Sequence, residues 1–244
     1  MNINRIAILG SGSMGTAILS GLLASGFEAS KVTITTKSSE SAEKLADELG
    51  VNAIALDEQA TANQDAVVGA DVVLVAVKPA YVVEVLKEAA QKLHSDSLVI
   101  SVAAGITTAS MESVVPESVA VIRSMPNTPA IVGRAVTGLA AGSRSSALQL
   151  QLAKSLFETV GTVLVVKEDQ IDQLSTVSGS GPAYLFYFIE EFTKAAQDLG
   201  FSADDARMLV EETFAGASEL LAASGKTPQD LRRQVTSPNG TTER

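Results

Sequence analysis

The chain contains no cysteine and only one histidine. Without a thiol there can be no disulfide, thiolate metal site or cysteine nucleophile. The lone imidazole, His94, sits in the loop-like stretch Lys92-Leu-His-Ser-Asp96, so a Ser-His-Asp hydrolase or a histidine-ligated metal enzyme lacks its parts. Positive charge is also scarce: 18 Lys and Arg stand against 28 Asp and Glu, a formal net charge of −10. Nucleic acid and anionic membrane surfaces reward clustered Lys and Arg, so neither is expected as a partner. No apolar run approaches the length of a membrane span, and Met1-Asn-Ile-Asn-Arg5 leads straight into a strand-like run without a signal-peptide core. The expectation is a cytoplasmic protein whose chemistry comes from a bound cofactor. With 244 residues, 46% of them hydrophobic, the chain can build one large or two modest domains.

One more absence is informative. The apolar run Arg5-Ile-Ala-Ile-Leu9 breaks into Gly10-Ser11-Gly12-Ser13-Met14-Gly15, followed by an amphipathic stretch from Thr16 to Ser25 and a stop at Gly26. A strand, three glycines spaced G-x-G-x-x-G and a helix bring backbone N–H groups and a helix N-terminus to a pyrophosphate. The next strand-like run, Val32 to Thr36, ends in Lys37-Ser38-Ser39 with no acid. An Asp or Glu there would accept from a free ribose 2′-hydroxyl and repel a 2′-phosphate. A lysine flanked by Thr36 and Ser38 predicts NADP(H) as the preferred dinucleotide, with NAD(H) possible.

Further Val/Ile/Leu runs at Val72 to Val77, Leu98 to Ala103 and Val119 to Ile122 alternate with helical stretches at Ser39 to Leu49 and Tyr81 to Leu93. That alternation predicts an α/β fold, a Rossmann-type doubly wound parallel sheet. Ala135 to Ala141 and Thr162 to Val166 bracket a helical segment from Ser146 to Val160 and extend the sheet. After Lys167 the β pattern stops, which predicts a boundary near 165: a dinucleotide-binding domain over 1–165 and an all-helical domain over 166–244. Tyr184 to Phe192 holds five of the ten aromatic residues and is apolar on nearly every side. A domain of about 80 residues has too little interior to bury such a helix all round, so a second copy of the chain is the expected cover, with Ala203 to Ser224 beside it.

Three motifs fall where a substrate could meet the cofactor. Ligands of open α/β sheets bind beyond the carboxyl ends of the strands, which points to Val77-Lys78-Pro79 and Ala103-Ala104-Gly105. Ser178-Gly-Ser-Gly-Pro182 reads as a helix start whose glycines let the backbone approach a ligand. In Ser237-Pro-Asn-Gly-Thr-Thr242, Asn239-Gly240 is a turn signal and Thr241 or Thr242 resembles an N-cap; its N–H groups and hydroxyls suit a small carboxylate.

Taken in order, the glycine fingerprint, Ala76-Val-Lys-Pro79, Ser101-Val-Ala-Ala-Gly-Ile106, Arg123-Ser-Met-Pro-Asn-Thr-Pro129, Ser178-Gly-Ser-Gly-Pro-Ala-Tyr184 and Val235 to Thr242 resemble pyrroline-5-carboxylate reductase. The resemblance spans essentially the whole chain. It implies reduction of 1-pyrroline-5-carboxylate to L-proline by NAD(P)H, the last step of proline biosynthesis, and a helical domain that interlocks with a partner subunit, often within rings of dimers. It implies a dinucleotide held by Leu9 to Met14, Lys37 and its hydroxyl neighbours, Asn63, Ala76 to Pro79 and Ala103 to Gly105. It implies a substrate carboxylate held by backbone amides of Ser237, Asn239, Gly240, Thr241 and Thr242, with Thr242 near the ring nitrogen as the catalytic hydroxyl. Asn239 replaces the glycine usual in that loop, and family members usually continue for another helix beyond it, so an incomplete site wall is expected if the chain ends at Arg244. The competing expectations are another imine or β-hydroxyacid reductase of this architecture, for which Lys194 is the one lysine on the aromatic helix, and a non-catalytic NADP-binding module.

Overall fold

The computed structural model describes residues 3–243. From the N-terminus, β1 (Ile6–Leu9), α1 (Ser13–Ala24), β2 (Val32–Thr36), α2 (Ser39–Leu49), β3 (Asn52–Ala55) and α3 (Ala62–Ala66) form the first half of a wound sheet. β4 (Val72–Val75), α4 (Val82–Ala89), β5 (Leu98–Ser101), α5 (Thr108–Glu112) and β6 (Ala120–Met125) form the second. β7 (Ala135–Ala141), α6 (Ala147–Glu158) and β8 (Gly161–Val165) complete eight strands in the order β3-β2-β1-β4-β5-β6-β7-β8. The order reverses between β1 and β4, the switch point at which such sheets bind ligands. β1, β4 and β5 are buried along their whole length, as strands covered by helices on both faces must be.

Three local features differ from the reading of the sequence. β3 is an extra edge strand; its four residues, Asn-Ala-Ile-Ala, carry little β-branched signal, and pairing with β2 is what makes them a strand. α1 begins at Ser13, inside the glycine motif, and not at Thr16. β7 runs antiparallel to β6, because only Pro126 to Arg134, with a 3₁₀ turn at Thr128–Val132, connects them; a parallel return needs a longer crossover.

The chain divides into two compact units, the first ending at Pro182 and the second starting at Ala183. The division falls later than residue 165 because the segment after β8 packs on the sheet: in α7 (Ile171–Leu174) Ile171 is fully buried, and Leu174 lies against Gly138 of β7. The second unit holds most of α8 (Gly181–Asp198), α9 (Ala203–Ser224) and α10 (Pro228–Gln234). There Phe214 of α9 meets Phe188 and Phe192 of α8 edge-on, with ring centroids 5.5 and 6.1 Å apart. Tyr184, Phe186 and Tyr187 are each more than 60% exposed, and only Ala206 and Val210 of α9 are buried. Among the described residues no helix is long and apolar enough to cross a membrane.

The sheet core centres on large side chains such as Phe157 of α6, fully buried in a cluster with Leu139, Leu156 and Val160. Phe157→Ala should lower stability by about 3–5 kcal/mol, read as a clear fall in Tm; an unchanged Tm would mean this core is not packed as described.

Candidate functional site

The β1–α1 turn is built by three glycines with three different tasks. Gly10 has a φ of +85°, and a Cβ there would lie 2.6 Å from Val77 Cγ1, so the turn can close against the β4 exit only without a side chain. A Cβ at Gly15 would lie 2.9 Å from Gly10 O and 3.2 Å from Ala76 Cβ; its absence lets α1 press onto the sheet. A Cβ at Gly12 would meet nothing within 4 Å, which leaves the backbone open to an incoming group. α1 has no side-chain cap and no acid in its first turn, whereas α2, α6 and α9 are capped by Ser38, Ser146 and Ser202. Its free N–H groups and the positive end of the helix dipole therefore face that opening. Ser11 Oγ is buried and has no hydrogen-bond partner among the described residues. An open glycine, an uncapped helix start and an orphaned hydroxyl fit a dinucleotide pyrophosphate.

A buried relay holds the turn. Ser11 N–H donates to Thr35 O at 2.9 Å, and Gly10 N–H donates to Thr35 Oγ1 at 3.0 Å. The Thr35 hydroxyl must then donate onward to Asn63 Oδ1, at 2.9 Å. This fixes the Asn63 amide with its Oδ1 toward Thr35 and its NH₂ end turned away from that hydroxyl.

At the β2 exit the Thr36 hydroxyl donates to Ser38 O, and the Ser38 hydroxyl caps α2 through Ser41 N–H. Both are engaged in shaping the turn, which leaves exposed Lys37, without an ion pair among the described residues, as its charged offering. The sequence pattern did not reveal Asp57, which follows β3 and accepts from Ser39 N–H at 3.2 Å; the acid missing from β2 is supplied one strand away but tied to the start of α2. Ala76 and Val77 flank the β1–β4 pair, where Ala76 N–H donates to Leu9 O at 2.8 Å, and Lys78 and Pro79 lead into an exposed 3₁₀ turn. Beyond β5, Ala103 N–H donates to Ser101 Oγ, and Ala104 and Gly105 are exposed. The structure thus brings the residues from Leu9 to Gly15, Asn63, Ala76 to Pro79 and Ala103 to Gly105 to one edge of the sheet.

The Ser237–Thr242 turn belongs to the second unit. Gly240 N–H donates to Ser237 O at 2.9 Å, Asn239 is the one non-glycine residue with positive φ among the described residues, at +60°, and its N–H donates to the Glu243 carboxylate. Thr241 and Thr242 are exposed and lie in a turn, not at the head of a helix within the described residues. The helix start read at Ser178-Gly-Ser-Gly-Pro182 is where α8 begins, at Gly181, and the Ser178 hydroxyl donates back to Leu174 O inside a π-helical turn, Ser175–Gly179, that runs into the helix. Lys194 of α8 lies 2.8 Å from Glu190 and 2.7 Å from Glu191, and their hydrogen bonds hold it well above the usual lysine pKa, a poor setting for an acid that must release a proton. His94 is a partly exposed loop residue 4.0 Å from Asp71. No metal-binding cluster occurs among the described residues.

With this geometry in place, the comparisons with known proteins are specific. Residues 168–244 match the family model of pyrroline-5-carboxylate reductase dimerisation, and residues 5–105 match that of NADP oxidoreductase, coenzyme F420-dependent. The chain is 38% identical over 244 residues to a pyrroline-5-carboxylate reductase of Pseudomonas aeruginosa, covering all of this chain and 87% of that one. It superposes on a solved pyrroline-5-carboxylate reductase of Coxiella burnetii with a TM-score of 0.89 at 36% identity, over 99% of this chain and 88% of the other. A Plasmodium falciparum pyrroline carboxylate reductase solved with NADP bound gives a TM-score of 0.84 at 26% identity, over 99% and 87%.

Because Gly12 faces open space, a side chain there should spare the fold and obstruct the ligand. Gly12→Asp should weaken NADPH binding by about 100-fold with little change in Tm. Unaltered fluorescence titration of NADPH would remove this turn from the site.

Proposed function

The chain belongs to the pyrroline-5-carboxylate reductase family, and from that premise we propose how its own residues carry out the reduction of 1-pyrroline-5-carboxylate to L-proline with NADP(H). The observation that carries the reading is the open, uncapped start of α1 at the β1–β4 switch point, in a chain similar over its whole length to reductases of this name. With Gly10 and Ser11 shaping the turn through their amide hydrogen bonds to Thr35, the pyrophosphate is held by the amides of Gly12, Ser13, Met14 and Gly15 and the Ser11 hydroxyl; Lys37, between Thr36 and Ser38, meets the 2′-phosphate. Asn63 offers its NH₂ group to ribose, and Leu9, Ala76 to Pro79 and Ala103 to Gly105 line the path toward the nicotinamide. NADP(H) is the favoured dinucleotide because no carboxylate on the β2 exit opposes the extra phosphate, and NAD(H) still fits.

When bound, the reduced nicotinamide supplies a hydride to the ring carbon of the C=N bond, and the ring nitrogen ends with a proton. The residues then have two duties, holding the imine in line and polarising it. Amides of Ser237, Asn239, Thr241 and Thr242 hold the substrate carboxylate, and the Gly240 amide closes the turn on Ser237 O. The Glu243 carboxylate on the Asn239 amide supports that assignment, since a substrate carboxylate would make the same kind of pairing. Asn239 adopts the left-handed backbone that glycine would take in this turn, so the replacement keeps the loop's shape. The Thr242 hydroxyl donates to the ring nitrogen or relays its proton from water.

The exposed aromatic face of α8 and the match to a dimerisation model support a homodimer through α8 and α9; further assembly of such dimers into a ring is what the family resemblance adds. The residues from 166 onward serve this substrate and dimerisation role, and the cytoplasm is the proposed location.

Incubation with NADPH and 1-pyrroline-5-carboxylate should consume NADPH and yield proline in equal amounts; NADPH loss without proline would overturn the reading. Thr242→Ala should lower kcat by about 100-fold while NADPH affinity holds, and unchanged turnover would remove Thr242 from the chemistry. Lys37→Glu should shift the NADPH-to-NADH ratio of kcat/KM toward NADH by about 10- to 100-fold, and an equal ratio before and after would discharge Lys37 from cofactor choice.

A further inference from the structure

The turn between Ser175 and Pro182 is π-helical at its start, a wide conformation that rarely holds itself together and recurs at functional sites. Two buried side chains of the β6 region hold it. Asn127 is 7% exposed and uses both ends of its amide: Nδ2 donates to Ser178 O at 2.9 Å, and Oδ1 accepts from Val136 N–H at 2.8 Å. Arg123 is 2% exposed; its Nη2 pairs with Asp172, and its Nη1 lies 3.9 Å from Glu168 Oε1. Glu168 in turn accepts from Thr108 N–H and Thr108 Oγ1, both at 2.6 Å, so the segment before the turn is fixed to α5 as well as to β6. Two close approaches complete the seat: a Cβ at Gly138 would lie 2.8 Å from Leu174 Cδ1, and one at Gly179 would lie 3.4 Å from Met125 Cε.

Strand register says where this seat is. Ser101 of β5 pairs with Arg123 of β6, so Met125, two residues on, is level with Ala103. The turn that touches Met125 therefore stands one strand beyond Ala103 to Gly105, at the carboxyl edge of the sheet. Ser124 Oγ donates to Ser101 O, and Ser101 Oγ accepts from Ala103 N–H, which locks the two exits together. Neither Arg123 nor Asn127 has a place in the binding of cofactor or substrate set out above, and both are polar groups outside the buried hydrophobic clusters.

We propose that Asn127 and Arg123 are positioning residues for hydride transfer: from β6 they hold the Ser178–Pro182 turn as the wall against which the reacting rings are aligned. The proposal rests on the reductase reading of the site. Its physical basis is the narrow distance window of the reaction, in which a displacement of about 1 Å costs on the order of 100-fold in rate. A π-helical turn freed of its ties relaxes toward an α-helix, dropping one residue from the turn and rotating the start of α8 by about 100°.

Two full-length variants test it. Asn127→Asp keeps the acceptor for Val136 and removes the donor to Ser178; Asp172→Ala, at a mostly exposed side chain, removes the acceptor of Arg123 Nη2 without touching the core. In the ligand-free variants, amides of residues 175–181 should exchange hydrogen at least about 10-fold faster than in the parent, with α1 unaffected. NADPH affinity by fluorescence should stay within about twofold, kcat should fall about 10- to 100-fold, and the primary isotope effect with C4-deuterated NADPH should grow as the chemical step becomes limiting. Unchanged exchange, faster exchange with unchanged kcat, or a kcat loss matched by an equal loss of NADPH affinity would each overturn the proposal. A parent protein that makes no proline would overturn the functional reading as well, whereas an active parent with indifferent variants would overturn the positioning role alone.

Discussion

The contact on which the rest of the structure depends is the one between Gly10 and Val77. β1 and β4 are neighbours at the switch point, so their exits meet, and the chain leaving β1 must turn with positive φ in a space already filled by the Val77 side chain. Only a residue without a Cβ satisfies both demands. Once that turn is made, α1 starts at Ser13 with free amides, Gly15 lets it press against Ala76, and the Thr35–Asn63 relay sets the polar groups beside it. The Gly10–Thr35–Asn63 relay is paired along its length, so it is arranged before any ligand arrives and leaves the Ser11 hydroxyl beside it unpaired.

The carboxyl edge of the sheet is continued by a segment that leaves the sheet pattern without leaving the sheet. Residues 168–179 are bound to β6, β7 and α5 by Arg123, Glu168, Thr108 and Asn127, and only after Pro182 does the second unit begin. In that unit the aromatic side chains of α8 are too exposed for a chain that acts alone. The dimerisation model matched by residues 168–244 gives that exposure its reason, since a face of this composition is covered by a second subunit.

Much of this was legible in the sequence, unevenly and for physical reasons. The glycine fingerprint, the boundaries of α2, β7 and α9, and the surplus apolar face of α8 follow from local periodicity and turn chemistry, which a single chain carries in its order of residues. β3, the reversal at β7 and the late unit boundary do not, because each is decided by how elements pair or pack and not by local pattern: pairing with β2 for the first, the short β6–β7 link for the second, the packing of Ile171 and Leu174 on the sheet for the third. At the site, Lys37 was nameable from its place after the second strand and Asn63 only through the family resemblance, while the engagement of Thr36 and Ser38 in the turn and the presence of Asp57 beside it required coordinates. Ser178-Gly-Ser-Gly-Pro182 reads as a helix start, and α8 begins at Gly181; the π-helical turn ahead of it, with the bond from the Ser178 hydroxyl back to Leu174 O, is a form with no simple residue pattern.

The central claim is that the glycine turn holds a dinucleotide whose hydride goes to a cyclic imine bound to the same protein. Reaction of 1-pyrroline-5-carboxylate with NADPH deuterated at the transferring C4 position, followed by mass spectrometry and NMR of the product, tests it most directly. The account predicts proline carrying a single deuterium on the ring carbon of the former C=N bond, with none when the label is in the solvent instead. Proline labelled from solvent at that carbon, or no proline at all, would contradict it.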